Sequence, residues 1–357
     1  MNVTIKDIAR LAGVSHTTVA RALNGQPGVS QETRARILEL ARRLRYSSNA
    51  LARGLVTRRS QSIGLLVPDM ANPFYVQVAK GIEKVAVDAH CSLVVCNSDH
   101  RQEKEIEYVR FLREKQVDGM LVVPLQKEKQ HFVDLWLDKF PLVFIDRFFP
   151  DLPVECVVSD NYGGAKQAVE HLVQLGYRRI AFLVGTRGGY AAEERLRAYH
   201  DVLQAAGLPL HEEYVLETRG GYADGYRRAQ DLLRLDPLPD AVLAANDVVA
   251  LGVMRYFTEQ RVRIPADIAL VGFDDIDFAG MLPVPLTTVR QHPLEIGEKA
   301  AQILLDLIEG RRERQLTVQP VVFAAELVVR QSCGAAGKVK NHRALAPCTP
   351  GREEHDS

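Results

Sequence analysis

The sequence has few features of a secreted, membrane-bound or metal-binding protein. Its 357 residues contain only five cysteines, which are odd in number and lack the spacing of a zinc or redox site. No apolar run approaches the roughly 20 residues that span a bilayer, and the polar N-terminus does not resemble a secretory signal. We therefore expect a cytosolic protein that does not enter a membrane and whose cysteines are buried free thiols. These cysteines are Cys91, Cys96, Cys156, Cys333 and Cys348.

Catalytic signatures are also missing. Asp274-Asp275 and the pair Asp240 and Asp247 are conceivable acid–base carboxylates, but no nucleophile–base pair or metal-ligand spacing accompanies them. The glycine-rich run at 185–189 matches neither a phosphate-binding loop nor a dinucleotide fingerprint. We therefore expect no enzymatic activity, no cofactor and no metal.

The charge balance conceals a strong asymmetry. The whole chain has 45 basic and 45 acidic residues, yet residues 1–60 hold 11 Lys and Arg against 3 Asp and Glu. The remaining chain holds 34 against 42. A basic head on an acidic body is expected where the head binds phosphates and the body does not.

Three short amphipathic helices are predicted within residues 1–46. The first runs from about Ile5 to Ala12 with Thr4 as its cap, and the second runs from about His16 to Leu23 after a turn at Gly13. A third helix is capped by Ser30, and its apolar side chains close a small core. These side chains are Ile37, Leu38, Leu40, Ala41 and Leu44. Two amphipathic helices joined by a glycine-containing turn predict a helix-turn-helix DNA-reading unit.

Residues 47–61 are predicted to be a hinge and linker. The stretch 49–55 has the length of one or two helical turns, which is too short to be stable alone in water. It therefore needs DNA or a second subunit in order to fold.

From residue 62 the pattern changes to apolar strands that alternate with amphipathic helices, which predicts parallel sheets with helices on both faces. The predicted strands are 63–67, 92–96, 119–123, 142–145, 180–184, 241–244 and 268–273. The predicted helices include 74–89, 162–175, 192–206, 247–259 and 293–308. The unit looks duplicated, with a break near 147–159, so residues 62–330 are predicted to form two lobes with a ligand cleft at the strand ends. Residues 331–357 are interpreted as a disordered tail.

Short motifs follow one another in a specific order along the chain. In the head they are Thr4-Ile5-Lys6-Asp7-Ile8-Ala9, Gly13-Val14-Ser15, Thr18-Val19 and Arg21-Ala22-Leu23-Asn24, followed by Tyr46, Asn49 and Leu55. In the body they are Asn72-Pro73-Phe74, Asp118-Gly119, Asp160-Asn161, Gly176-Tyr177, Asn246-Asp247, Gly272-Phe273-Asp274-Asp275, Pro285-Leu286-Thr287-Thr288-Val289 and Gly297. Together they resemble the lactose-repressor (LacI/GalR) family of bacterial transcription regulators over more than nine tenths of the chain. The resemblance implies an all-α helix-turn-helix head and an α/β body of two doubly wound, parallel-sheet lobes similar to periplasmic binding proteins.

The resemblance also implies how the head reads DNA. The second helix would lie in the major groove, where an arginine bidentate to guanine is worth ~1–3 kcal/mol of discrimination. Two copies of Leu55 would insert into the minor groove and kink it, whereas Ala20 replaces the serine usual in the family, which puts one phosphate contact in doubt. The implied DNA-binding residues are Thr4, Ser15, His16, Thr17, Thr18, Arg21, Asn24, Asn49, Ala52 and Leu55.

The cleft would bind a small molecule, in this family most often a sugar or sugar derivative and sometimes a purine. Arg195 and Asp274 match the family's ligand-contacting pair, and an arginine with carboxylates suits a vicinal diol. Gly220 and Gly221 stand where many relatives carry an aromatic residue, so Tyr190 and Tyr222 are the candidates to replace it. The implied effector-binding residues are Phe74, Asp146, Arg147, Arg195, Asn246 and Asp274.

These patterns predict a homodimeric repressor that binds a pseudo-palindromic double-stranded operator and is released by a carbohydrate effector. The alternative is a purine or nucleoside regulator whose ligand acts as corepressor. An aromatic-rich pocket would favour the purine, and polar groups converging on hydroxyls would favour the sugar. A periplasmic sugar-binding protein would share the body but not the basic head.

Overall fold

The computed structural model describes residues 3–23, 25–44 and 59–335. The chain divides into two compact units between Gln61 and Ser62. The candidate DNA contacts Asn24, Asn49, Ala52 and Leu55 lie outside the described residues, as do most of the hinge at 47–61 and residues 336–357 of the C-terminal segment.

The first unit contains three helices, each started by a side-chain cap. They are α1 (Ile5–Ala12), α2 (His16–Leu23) and α3 (Gln31–Arg43). Thr4 and Asp7 form a reciprocal capping box, in which the Asp7 amide and the Thr4 backbone each bond the other's side chain. The Ser15 hydroxyl accepts a hydrogen bond from the Thr18 amide at 3.1 Å, and the Ser30 hydroxyl accepts one from the Thr33 amide at 3.2 Å. The two N-terminal helices meet at a left-handed glycine, Gly13, as the turn requires.

The core of the head is small and built mostly from alanines. Ile8, Val19 and Ile37 are fully buried, and the alanines at 9, 12, 22 and 41 pack around them. Leu38 was expected in this core but is 47% exposed, because it lies one residue off the stripe on which Ile37 and Ala41 face inward four residues apart.

The second unit consists of two six-stranded sheets. Its strands are β1 (Ser62–Val67), β2 (Ser92–Asn97), β3 (Gly119–Val122), β4 (Leu142–Ile145), β5 (Glu155–Ser159), β6 (Ile180–Val184), β7 (Val215–Glu217), β8 (Ala241–Ala244), β9 (Ala269–Asp274), β10 (Thr287–Arg290), β11 (Val321–Phe323) and β12 (Glu326–Val328). The first lobe has the strand order β2-β1-β3-β4-β5-β11, and the second lobe has the order β7-β6-β8-β9-β10-β12. All neighbours pair in parallel except β10 and β12.

Helices cover both faces of each sheet. They are α4 (Pro73–Asp88), α5 (Gln102–Glu114), α6 (Gln130–Leu137), α7 (Asn161–Gln174), α8 (Tyr190–Ala205), α9 (Tyr222–Leu232), α10 (Asp247–Glu259) and α11 (Pro293–Glu309). Four apolar clusters, one on each face of each sheet, form the core. The predicted fold class, two parallel-sheet lobes of the periplasmic-binding type, is confirmed.

The chain crosses between the lobes three times. The predicted single break at 147–159 contains β5, a fully buried strand that pairs with β4 and β11. The other crossings lie between β10 and α11 and between β11 and β12. As a result α11 belongs to the first lobe, where Gly81 and Gly297 allow α4 and α11 to approach so closely that an added Cβ would fall about 2 Å from backbone oxygens.

The packed body extends beyond Arg330, so the predicted tail is wrong over its first residues. Ser332 and Cys333 are fully buried, and the Ser332 hydroxyl bridges two strands, donating to the Leu270 carbonyl at 2.6 Å and accepting from the Thr287 amide at 2.8 Å. A polar side chain in this segment therefore bonds backbone groups of the sheet instead of facing solvent.

Three of the four described cysteines are buried free thiols. The four are Cys91, which is partly exposed, and the buried Cys96, Cys156 and Cys333; Cys348 lies outside the described residues. Among the helices that the structure describes, none has the length and apolar content of a membrane span.

Candidate ligand cleft and DNA-reading surface

A cleft of about 730 Å³, including the open solvent at its mouth, lies between the two lobes. It is bordered by the carboxyl ends of the parallel strands and by the helices that start there, as expected for open parallel sheets. All six side chains predicted to contact an effector border it, namely Phe74, Asp146, Arg147, Arg195, Asn246 and Asp274.

Three polar side chains form a buried cluster on the first-lobe wall. Asp146 follows β4 directly and has a left-handed backbone, with φ of 64°. The Tyr75 hydroxyl donates to Asp146 Oδ2 at 3.3 Å, and Arg147 donates to the Tyr75 hydroxyl at 3.3 Å. Burial raises the pKa of Tyr75, so its hydroxyl keeps its proton and acts as a donor.

Phe74 supplies an apolar surface on the same wall. Asn72 caps α4 by accepting a hydrogen bond from the Phe74 amide at 3.0 Å, which fixes the ring beside the cleft. The ring is only 4% exposed and meets Tyr75 edge to face, with 5.2 Å between centroids. It can therefore contact an apolar ligand face.

Arg195 is held rigidly on the second-lobe wall. Its Nε donates to Asn161 Oδ1 at 2.8 Å, and its Nη1 donates to the Ala245 carbonyl at 2.6 Å. The guanidinium also lies 3.6 Å above the Phe273 ring. These contacts fix the plane of the guanidinium, so Arg195 has a structural role besides any contact with a ligand.

Asp274, at the end of β9, carries a buried oxygen that the protein does not satisfy. Asp274 Oδ1 accepts a hydrogen bond from Gln291 Nε2 at 2.7 Å. Among the described residues, neither Asp274 Oδ2 nor Gln291 Oε1 has a hydrogen-bond partner, although both atoms are buried. Burial, and then the nearby Asp247, raise the pKa of Asp274 well above its usual range. Two buried oxygens without a described partner beside the cleft suit a ligand with hydroxyl groups, which can both donate and accept hydrogen bonds.

The Asn246 side chain forms most of its hydrogen bonds within the protein. Its Oδ1 caps α10 by accepting from the Val249 amide at 2.7 Å, and its Nδ2 donates to the Gly220 carbonyl at 2.9 Å. One amide hydrogen is left for a ligand.

Neither tyrosine proposed to replace the family's aromatic residue borders the cleft. Tyr222 is 46% exposed. Tyr190 packs against Phe148 of the first lobe with 4.5 Å between ring centroids. The described aromatic residues of the cleft lining are therefore Phe74 and Tyr75, both on the first lobe.

Contacts between the lobes lie at two edges of the cleft. At one edge, Gln126 accepts a hydrogen bond from the Tyr190 amide at 2.9 Å while donating to the Phe148 carbonyl at 2.6 Å. At another, Gln77 donates to Asp277 at 3.0 Å. These contacts join the two lobes directly.

In the head unit, α2 presents a polar face of the kind that reads DNA. His16, Thr17 and Arg21 are exposed, whereas Val19 is buried and Ala20 is partly buried. Ser15 and Thr18 hold each other, with 2.9 Å between their hydroxyl oxygens. The Thr4 hydroxyl donates to Asp7 at 2.7 Å. Thr4, Ser15 and Thr18 thus stabilise the starts of the first two helices.

Comparison with known proteins finds a matching protein family for each of the two units. Residues 4–49 match the bacterial regulatory proteins of the lacI family, and residues 169–333 match the periplasmic binding protein-like domain. The chain is 32% identical to the HTH-type transcriptional repressor PurR of Haemophilus influenzae over 92% of this chain and 98% of that protein. The chain belongs to the LacI family of bacterial regulatory proteins.

Solved structures agree with this assignment. A lac repressor dimer bound to operator and the anti-inducer ONPF matches with a TM-score of 0.82 and 28% identity, covering 93% of this chain and 99% of that one. A CelR–cellobiose complex matches with a TM-score of 0.70 and 30% identity, covering 93% and 100%. This LacI-family protein is a DNA-binding transcriptional regulator, and its relatives are regulators rather than enzymes.

Several cleft residues of this regulator were not predicted from the sequence. They are Asn72, Tyr75, His100, Thr186, Arg219 and Gln291. Asn72 and Tyr75 lie within two residues of the predicted Phe74, so the Asn-Pro start of α4 could have identified them as cleft residues from the sequence. Gln291 directly follows β10, a strand that was not predicted, and for this reason it was missed.

Proposed function

We propose that this LacI-family regulator is a homodimeric repressor that leaves its pseudo-palindromic operator when a sugar or sugar derivative binds in the cleft. The observation that carries the proposal is the pair of unsatisfied buried oxygens on Asp274 and Gln291. Sugar hydroxyls donate hydrogen bonds to such acceptors, while Arg195 donates to sugar oxygens in a fixed fork.

The lining favours a sugar over a purine. A purine base binds best between aromatic faces, but the described lining has aromatic rings on the first lobe only. Phe74 is almost entirely buried and offers only a small apolar surface, which suits one face of a sugar ring. A solved relative contains cellobiose. A purine that strengthens operator binding would instead identify this regulator as one controlled by a corepressor.

In the head, we assign base contacts to His16, Thr17 and Arg21, which are exposed on one helix. Thr4, Ser15, Thr18 and Asn24 would hold phosphates and fix the register. Asn49, Ala52 and Leu55 would act in the hinge, with two copies of Leu55 in the minor groove at the operator centre. Since one head reads only a few base pairs, two heads related by a two-fold axis are needed for specificity. Such a regulator works in the cytoplasm, where the DNA is.

The hinge assignment can be tested with Leu55→Ala. Inserting a side chain between base pairs matters only at the specific site, so this variant should lose specific binding far more than binding to random DNA. Equal losses on both DNAs, measured by fluorescence anisotropy, would contradict the insertion of Leu55.

The coupling between effector and operator would act through lobe closure. A ligand shifts the equilibrium only by the difference in its affinity for the two states, typically ~1–3 kcal/mol. Ligand contacts to both walls would change the lobe spacing now held by the Gln126–Tyr190 and Gln77–Asp277 contacts. The change would reach the DNA through residues 47–61.

The deciding experiment measures thermal stability against sugars, sugar acids, polyols, nucleosides and purine bases, because a ligand of the native state raises stability by mass action. Any ligand found is then added to the protein bound to an operator selected from random DNA. A sugar-type ligand that weakens operator binding is expected. A purine that strengthens it would replace the proposal with the corepressor mechanism.

A further inference from the structure

We infer that the effector carries an acidic group, a carboxylate or a phosphate, in addition to hydroxyls, and that Arg219 and the starts of α8 and α9 bind this group. The inference rests on the proposed function, because it concerns the same cleft. It narrows the effector to a sugar acid or a sugar phosphate.

The cleft has two chemically different ends. Phe74, Asp274 and Gln291 also border an adjoining cavity of about 750 Å³, which places the acceptor oxygens at that end. Arg219, Gly220 and the 185–189 loop border the first cavity only. Arg219 therefore borders the part of the cleft that the adjoining cavity does not share, as a ligand with an acidic group at one end requires.

Arg219 is a cation that the protein leaves available. Its side chain is exposed beside the cleft, and no described residue accepts a hydrogen bond from its guanidinium. Asp224 Oδ2 accepts a hydrogen bond from the Arg219 backbone amide at 3.0 Å, and Asp224 Oδ1 accepts one from the Arg227 guanidinium at 3.2 Å. By contrast, Arg147 and Arg195 are both partnered within the protein.

Two helix starts add partial positive charge at the same end. The 16-residue α8 begins after Gly189 and the 11-residue α9 begins after Gly221, and neither glycine can cap its helix with a side chain. At the start of α8, the Gln126 side chain accepts a hydrogen bond from the Tyr190 amide at 2.9 Å. The other two helices that start at the cleft, α4 and α10, are capped by Asn72 and Asn246. Uncapped first-turn amides attract anions, and Ala191 and Ala192 of α8 border the cleft.

The charges of the lining also favour an anion. Three arginines stand against Asp146 and Asp274, and Asp146 is paired with Arg147 at 3.4 Å. His100 borders the cleft as well, but burial, and then Arg147, lower its pKa, so it adds no cation at neutral pH. A neutral sugar leaves the Arg219 charge without a partner, whereas an acid forms a charge-assisted hydrogen bond with it.

The test compares matched ligands in the full-length protein by calorimetry and thermal shift. The sets are D-glucose, D-gluconate and glucose 6-phosphate; D-galactose and D-galacturonate; and D-ribose and ribose 5-phosphate. At least one acid should bind ten-fold or more tightly than its neutral partner, and comparing gluconate with glucose 6-phosphate distinguishes a carboxylate from a phosphate. Inorganic phosphate alone should raise the melting temperature slightly.

The variant Arg219→Gln should weaken binding of that acid ten-fold or more. The control Arg255→Gln removes the same charge from an exposed ion pair on α10 and should change nothing. Neutral sugars that bind as tightly as the acids, or an acid affinity unaffected by Arg219→Gln, would overturn the inference while leaving the sugar-responsive repressor intact. Binding of none of these compounds, neutral or acidic, would count against both.

Discussion

Replacing Asp274 with asparagine should change protein stability and effector affinity in opposite directions. In the free protein, Asp274 Oδ2 is buried without a described partner, and burial, followed by the nearby Asp247, raises the pKa of Asp274 well above its usual range. A carboxyl whose folded pKa is raised stabilises the fold only while it is protonated. Its contribution is therefore complete below the unfolded pKa of about 4 and is lost as the pH rises through the folded pKa.

The magnitude follows from this linkage. Each unit by which the folded pKa exceeds the unfolded pKa costs ~1.4 kcal/mol at a pH above both values. Asp274→Asn removes that cost and keeps the oxygen that accepts from Gln291. We expect the variant to be more stable than the wild type at pH 8, and the difference to shrink by pH 5. Replacing the Asp274 Oδ2 with an amide nitrogen, which cannot accept a hydrogen bond, should weaken effector binding by ~1–3 kcal/mol, roughly 5- to 150-fold.

Chemical denaturation at pH 5 and pH 8, with calorimetry of the effector, measures both effects. Asp88→Asn makes the same chemical change on an exposed helix end and should leave both quantities unaltered. An Asp274→Asn protein that is less stable than the wild type at pH 8 would mean that Oδ2 is satisfied in the free protein. The argument for a hydroxyl-donating ligand would then lose its basis.

Two further substitutions test the packing that positions the sites. Gly252→Ala should destabilise the second lobe by ~1–3 kcal/mol in thermal unfolding, since the new Cβ would fall 2.2 Å from the Tyr222 carbonyl oxygen of the facing helix. Gly280→Ala, whose Cβ would meet nothing closer than 3.5 Å, is the matched control, and equal melting temperatures would refute the close approach. Ser15→Ala should remove the cap of α2 at a cost of ~1 kcal/mol, seen as faster amide exchange in α2 of the full-length protein. Thr17→Ala, on the exposed face, should leave that exchange unchanged, and protection equal to wild type in Ser15→Ala would show that the cap is dispensable.

The local parts of this fold could be predicted from the sequence because their signals lie within a few residues. The caps at Thr4, Ser15 and Ser30 and the glycine at position 13 follow from side chains that satisfy helix ends. The buried strands β1, β3, β4, β6 and β8 are apolar runs of four to six residues. Parallel strands place their carboxyl ends at one edge, so the candidate cleft residues could be located from strand ends alone.

The nonlocal parts could not be predicted, because their partners are far apart in the chain. The short β11 pairs with β5, and Val321 lies opposite Val157. Neither strand has a pattern that identifies its partner, and the three crossings between lobes depend on such pairings. In the same way, α11 has an ordinary amphipathic pattern that does not indicate which lobe it joins. The ties of Arg195 to Asn161 and Ala245 also depend on tertiary structure.

Residues with a left-handed backbone and a buried, unsatisfied oxygen lie together at the cleft, and these local costs explain how a ligand can act on the fold. His100, Asp146 and Asp274 border the cleft, and all three have positive φ without being glycine. Such conformations cost about 1–3 kcal/mol each and persist only where the surroundings enforce them. Asp274 adds a buried, unsatisfied oxygen at the same place. A ligand that supplies the missing hydrogen bonds on the second lobe removes part of this cost, and it spans the cleft when it also contacts Asp146 and Tyr75 on the first-lobe wall. The binding energy is then linked to the spacing of the lobes, and a substitution that relieves the cost in the free protein must also reduce what the ligand can gain.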